Sequence, residues 1–127
     1  MSCSIDAGGD APQTFTLPSG LRMAYRWQDG GGPVLVFLPG YMSDMAGGKA
    51  TALFDHAAAH GRAVLLLDYS GCGQSDGAFA DGTLSRWRDE VWSLIDHVVG
   101  DRQVLLMGSS MGGWLMLLMA LARPAQV

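Results

Sequence analysis

The sequence has 127 residues, 49% of them hydrophobic and 16% charged, which suits one globular domain and excludes disordered or fibrous classes. A net charge of −4 and a pI near 5.0 argue against nucleic acid or an anionic membrane surface as main partner. Two cysteines, Cys3 and Cys72, are too few for a disulfide framework or a four-ligand zinc site, so no metal is implied and a reducing compartment fits.

Residues 1–12 read as a loose leader of a single domain spanning 1–127. They hold no basic residue and no apolar run, so they resemble neither a secretory signal nor an Arg-rich transit peptide. The longest apolar run, 114–122, is about half the roughly 20 residues that cross a bilayer. Together these predict a soluble, cytoplasmic protein. Residues 13–17 and 21–27 alternate around Pro18-Ser19-Gly20 and predict an antiparallel hairpin. Three continuous apolar stretches follow, at 34–38, 63–67 and 104–107, closed by Pro39-Gly40, Asp68 and Gly108. Strands of that kind are buried on both faces, as in a parallel sheet covered by helices.

Helices are expected between them. Residues 49–60 are Ala-rich and end at Gly61. From Leu84 to Val98, apolar residues recur in steps of three and four through Trp87, Val91, Leu94 and Ile95. Residues 112–122 are apolar nearly all round, which predicts a buried helix stopped near Arg123-Pro124. The order β-β-β-α-β-α-β-α is that of an α/β protein with a mostly parallel sheet. Such a sheet continues with another strand after Pro124, whereas this sequence stops at Val127. The expectation is a truncated frame, with 104–107 left as an apolar edge open to self-association.

The strongest chemical signal is Gly108-Ser109-Ser110-Met111-Gly112-Gly113, a G-x-S-x-G between an apolar strand and an apolar helix. A turn that sharp strains the central serine and projects its hydroxyl above the sheet, with Gly108 and Gly112 sparing it the clash of flanking Cβ atoms. The helix behind Ser110 directs its first amides at the same spot, so the Met111 amide would stabilise a tetrahedral oxyanion. The bare pattern also fits a plain Gly/Ser turn; the strand–turn–helix context favours a nucleophile. Leu38-Pro39-Gly40-Tyr41, at the end of the first buried strand, offers a second oxyanion donor in the Tyr41 amide. The segment from Asp68 to Gly77 fails as a dinucleotide fingerprint, because Asp76 stands where a third Gly belongs, and Gly48-Lys49 fails as a phosphate loop. No cofactor site is implied.

The combination FLPGY, DYSGCGQSDG and GSSMGGW resembles an α/β-hydrolase of the serine esterase type. More narrowly, GYMSDMAGGKA, TLSRWRDEVWSLID and GSSMGGWLMLLMALARP resemble the mitochondrial family of palmitoyl-protein thioesterases and mycophenolic acid acyl-glucuronide esterases, over residues 34–124. The resemblance implies an α/β-hydrolase fold, and a small-molecule ester or thioester as substrate with no cofactor. It also implies Ser110 as nucleophile, Tyr41 and Met111 as oxyanion donors, and the strands of Phe37 and Met107 side by side. Triads of this superfamily run Ser, Asp, His in chain order, yet nothing after Ser110 is Asp, Glu or His. His56, His60 and His97 fall toward the C-terminal ends of crossover helices, a strand's length of roughly 17–20 Å from the serine. Asp68 reads as a loop organiser, and Asp44 and Asp76 as solvated loop carboxylates. The expected function is therefore acyl transfer at Ser110 with the acid and base absent from the sequence. The competing expectation is an inactive hydrolase half serving as an interaction module.

Overall fold

Among the described residues, five strands and three α-helices form where the apolar pattern places them. The computed structural model describes residues 12–40 and 44–127, so the expected leader, save for residue 12, lies outside the described residues. β1 (Gln13–Thr16) and β2 (Arg22–Gln28) pair antiparallel around a turn in which Gly20 takes φ 93°. The three apolar runs become β3 (Gly31–Leu38), β4 (Arg62–Leu67) and β5 (Val104–Gly108), paired in parallel. The sheet order is β1-β2-β4-β3-β5, with β2 alone running against the rest. Phe37 lies opposite Met107, as the resemblance implied.

α1 (Gly48–Ala59) covers one face of the sheet; α2 (Leu84–Val98) and α3 (Met111–Ala122) cover the other. The two-residue period of a strand explains how each apolar run serves both. Val34, Val36 and Leu38 of β3 and Ala63, Leu65 and Leu67 of β4 pack toward α2 and α3. Leu35, Val64 and Leu66 pack toward Phe54 of α1. Thr83 caps the start of α2: its hydroxyl accepts the Arg86 amide at 3.1 Å, which satisfies one of the helix's free donors.

Two expectations change. β3 starts at Gly31 rather than residue 34, because the Gly-rich stretch pairs by backbone alone: Gly31 N donates to the Gly61 carbonyl at 2.8 Å. α3 is not buried all round. Leu115 and Met119 are buried, but Trp114 (68% exposed), Leu117 and Leu121 form an outward stripe. The cause is position. β5 is the edge strand, so α3 meets the sheet and α2 on one side, and no described residue covers the other.

Candidate active site

β5 ends at Gly108 and α3 begins at Met111, leaving only Ser109 and Ser110 to reverse the chain. The tightness of that connection sets Ser110 at φ 57°, ψ −116°; it is the one non-glycine residue with positive φ among the described residues. Such a conformation costs on the order of 1–3 kcal/mol and persists only where packing imposes it. Here the packing is explicit. A Cβ on Gly108 would strike the Gly112 carbonyl group, and a Cβ on Gly112 would strike the Leu38 carbonyl. Both glycines are thus required by the close approach of β5, α3 and the end of β3. The Ser110 side chain is exposed and makes no hydrogen bond among the described residues.

The amides around it are unequally occupied. Gly112 N donates to the Ser109 carbonyl at 3.0 Å and Gly113 N to the Ser110 carbonyl at 2.9 Å. Met111 N has no acceptor among the described residues, so it is the first-turn donor left to face an anion. Tyr41 lies outside the described residues. The turn before it does not: Pro39 and Gly40 are buried against the serine turn, where a Cβ on Gly40 would come within 2.8 Å of the Ser109 carbonyl oxygen.

The histidines are elsewhere. His97 stacks on Phe15 of β1 with ring centroids 4.5 Å apart. β1 and β5 are opposite edges of the sheet, four strand spacings or about 19 Å apart. His56 and His60 pack on each other near the C-terminal end of α1, whose 12 residues make it about 18 Å long. Lys49, at the other end of that helix, is the residue that reaches the serine turn: its Nζ donates to Ser109 Oγ at 3.4 Å. None of the three imidazoles is within hydrogen-bond reach of Ser110.

Asp68 organises its loop. It is buried, and its carboxylate accepts the amides of Met45 at 2.8 Å and Gln74 at 3.0 Å. Burial pushes its carboxyl above the ordinary range, the nearby Asp44 charge adds to that, and the two amides oppose it. Asp76, expected to be a solvated loop carboxylate, is partly exposed and also pairs with Arg22 at 3.0 Å, and that hydrogen bond holds its carboxyl below the ordinary range.

Sequence reasoning missed Tyr69. It is fully buried, stacked on Trp87 at 5.2 Å, and its hydroxyl donates to the Pro39 carbonyl at 2.8 Å. The turn beside the serine is thereby tied to the core. Burial, with the Cys72 thiol as a lesser cause, raises the Tyr69 phenol far above its ordinary value, so it stays a donor. The rule that a buried tyrosine needs a partner could have raised the question, but not the answer. Lys49 was missed as well. Together with Phe37, Gly40, Asp44, Gly47 and Ser109 it lines a cavity of about 240 Å³ beside the turn. Among the described residues no three His, Cys, Asp or Glu side chains gather as metal ligands do, and no helix is long and apolar enough to cross a membrane.

Comparison with known proteins gives the family and the fold. The palmitoyl-protein thioesterase ABHD10 of rat is 44% identical over 111 residues, and the human one 46% over 106. These alignments take in 87% and 84% of this chain but only 36% and 34% of the relatives, so the chain spans about a third of their length. Among solved structures, mouse α/β-hydrolase domain-containing protein 10 superposes with a TM-score of 0.85 at 40% identity, over 92% of this chain and 46% of that one. A putative hydrolase from Agrobacterium vitis gives 0.80 at 35% identity, over 92% and 48%. The fold is thus that of the α/β-hydrolases. The cytoplasmic location expected from the N-terminal sequence does not stand, because the ABHD10 relatives are mitochondrial proteins. The serine aminopeptidase S33 profile matches residues 33–127, most of the sequence, and the chain belongs to that family of hydrolases.

Proposed function

We propose that this chain carries the nucleophile of a serine hydrolase acting on carboxylic esters or thioesters. Ser110 Oγ bonds to the acyl carbon while the bond to the alcohol or thiol leaving group breaks, the serine proton passing through a base to that leaving group. Water then repeats the sequence on the acyl-enzyme and releases the acid. The Met111 amide, with that of Tyr41, holds the oxyanion. One observation carries the reading: an exposed serine in a strained conformation, with positive φ, between a parallel strand and the start of a helix. The thioesterase relatives support the acyl substrate class.

The positions of His56, His60 and His97, away from Ser110, support a base other than these three. The reading therefore assigns it to polypeptide outside this sequence, and these residues alone would turn over on the order of a million-fold more slowly than with it. Expression from the native gene followed by a fluorophosphonate probe tests the assignment. A labelled band that disappears in Ser110→Ala is expected; labelling that persists in the variant overturns it. The exposed apolar stripe of Trp114, Leu117 and Leu121 favours a second reading, an interaction module without turnover. That reading predicts no labelling of either form.

A further inference from the structure

Lys49 is the single lysine of the sequence, and its surroundings differ from those of five of the seven arginines. Arg22, Arg86, Arg88, Arg102 and Arg123 are each paired with a carboxylate. Lys49 is paired with none among the described residues. It lines the 240 Å³ cavity, and its ammonium donates to the hydroxyl of Ser109, the residue before Ser110. The cavity also contains one negative group, Asp44, whose carboxylate is engaged by the Ala46 amide at 3.0 Å. A space this small lies below the roughly 300–1,000 Å³ of drug-sized ligand sites. It suits a short polar group better than a long acyl chain.

We propose that Lys49 is a specificity-determining residue, favouring ester or thioester substrates that carry a carboxylate close to the scissile bond and seat it in this cavity. The proposal rests on Ser110 being the nucleophile and adds the charge of the substrate. An exposed ammonium–carboxylate contact is worth about a three- to fivefold preference, and salt weakens it.

The test uses protein expressed from the native gene and two pairs of aryl esters. Each pair differs only by a carboxylate against a carboxamide, placed on the acyl chain in one pair and on the leaving group in the other. The wild type should prefer the anion three- to fivefold in kcat/KM in one of the two pairs, and which pair responds tells the acyl side from the leaving side. Lys49→Met should bring that ratio to about one, Lys49→Arg should keep it, and Lys49→Glu should invert it. Lys49 is exposed, so these substitutions spare the core. A wild-type ratio of one in both pairs overturns the proposal, as does an unchanged ratio in Lys49→Met. Should no ester be turned over in a Ser110-dependent way, the nucleophile reading has failed separately, and binding decides the role of Lys49. Adipic acid monoamide should then shift the amide resonances of Lys49 and Ser109 in wild type but not in Lys49→Met, while neutral adipamide shifts neither. Equal shifts by both compounds overturn it.

Discussion

One phenolic hydroxyl links the core to the turn beside the strained serine. Tyr69 donates to the Pro39 carbonyl, and the Pro39-Gly40 turn packs on Ser109. Replacing Tyr69 with Phe keeps the stacking on Trp87 but leaves that buried carbonyl without its partner, at a cost of about 1–3 kcal/mol. The variant should unfold at lower urea with an unchanged m-value. Its fluorophosphonate labelling should slow more than that of a core variant of equal instability, such as Ile95→Val, because Tyr69, unlike Ile95, bonds directly to the turn. Equal slowing would confine Tyr69 to stability. Gly108, Ser110 and Gly112 could be found from spacing alone, since a sharp strand-to-helix turn dictates all three locally. Tyr69 and Lys49 could not: their partners lie 30 and 60 residues away, and only the fold brings them together.

Among the elements, the end of α3 shows best how a helix is fixed to its neighbour. Arg123 makes two hydrogen bonds to Asp96 of α2, at 2.6 and 2.9 Å, and its guanidinium lies 4.5 Å above the Trp92 ring. The indole N–H of Trp92 in turn donates to the Met119 carbonyl at 3.3 Å. The Arg123 hydrogen bond holds the Asp96 carboxyl below its ordinary value. A carboxyl with a depressed folded value adds stability above its unfolded pKa of about 3.9 and loses it as the pH falls through the folded value. Both side chains are partly exposed, so screening keeps the contribution small, about 0.5–1 kcal/mol. Asp96→Asn should therefore lower the denaturation midpoint modestly and uniformly above pH 5, with the gap to wild type closing below about pH 4. A gap that persists at pH 2 would assign the effect to packing rather than to the ion pair. Helix positions were legible because three- and four-residue steps and breakers are local. The exposure of one face of α3 was not, because an all-apolar pattern does not say what lies opposite each face.

At the scale of the whole molecule the apolar surface is unevenly distributed. On β5, Val104 and Leu106 are covered by α2 and α3, whereas Leu105 (50% exposed) and Met107 point to the face that α1 covers only further in. Trp114, Leu117 and Leu121 form a second exposed apolar stripe on the outward side of α3, on the other face of the sheet. The outer edge of β5 adds backbone groups to these surfaces; among the described residues only Val104 N is met there, by the Gln126 carbonyl at 2.9 Å. Open strand edges and contiguous apolar patches drive association, and a net charge of −4 on 127 residues opposes it weakly. Sedimentation of these residues should give a mass that rises with concentration above the 13.4 kDa of one chain, and sulfate should strengthen the effect. The double variant Leu105→Lys, Leu117→Glu should restore a single-chain mass, because it charges both exposed apolar surfaces without touching the buried Leu106, Leu115 or Met119. If the double variant associated as strongly as the wild type, the contact would lie elsewhere on the surface. The second reading of function would then lose the observation that favours it.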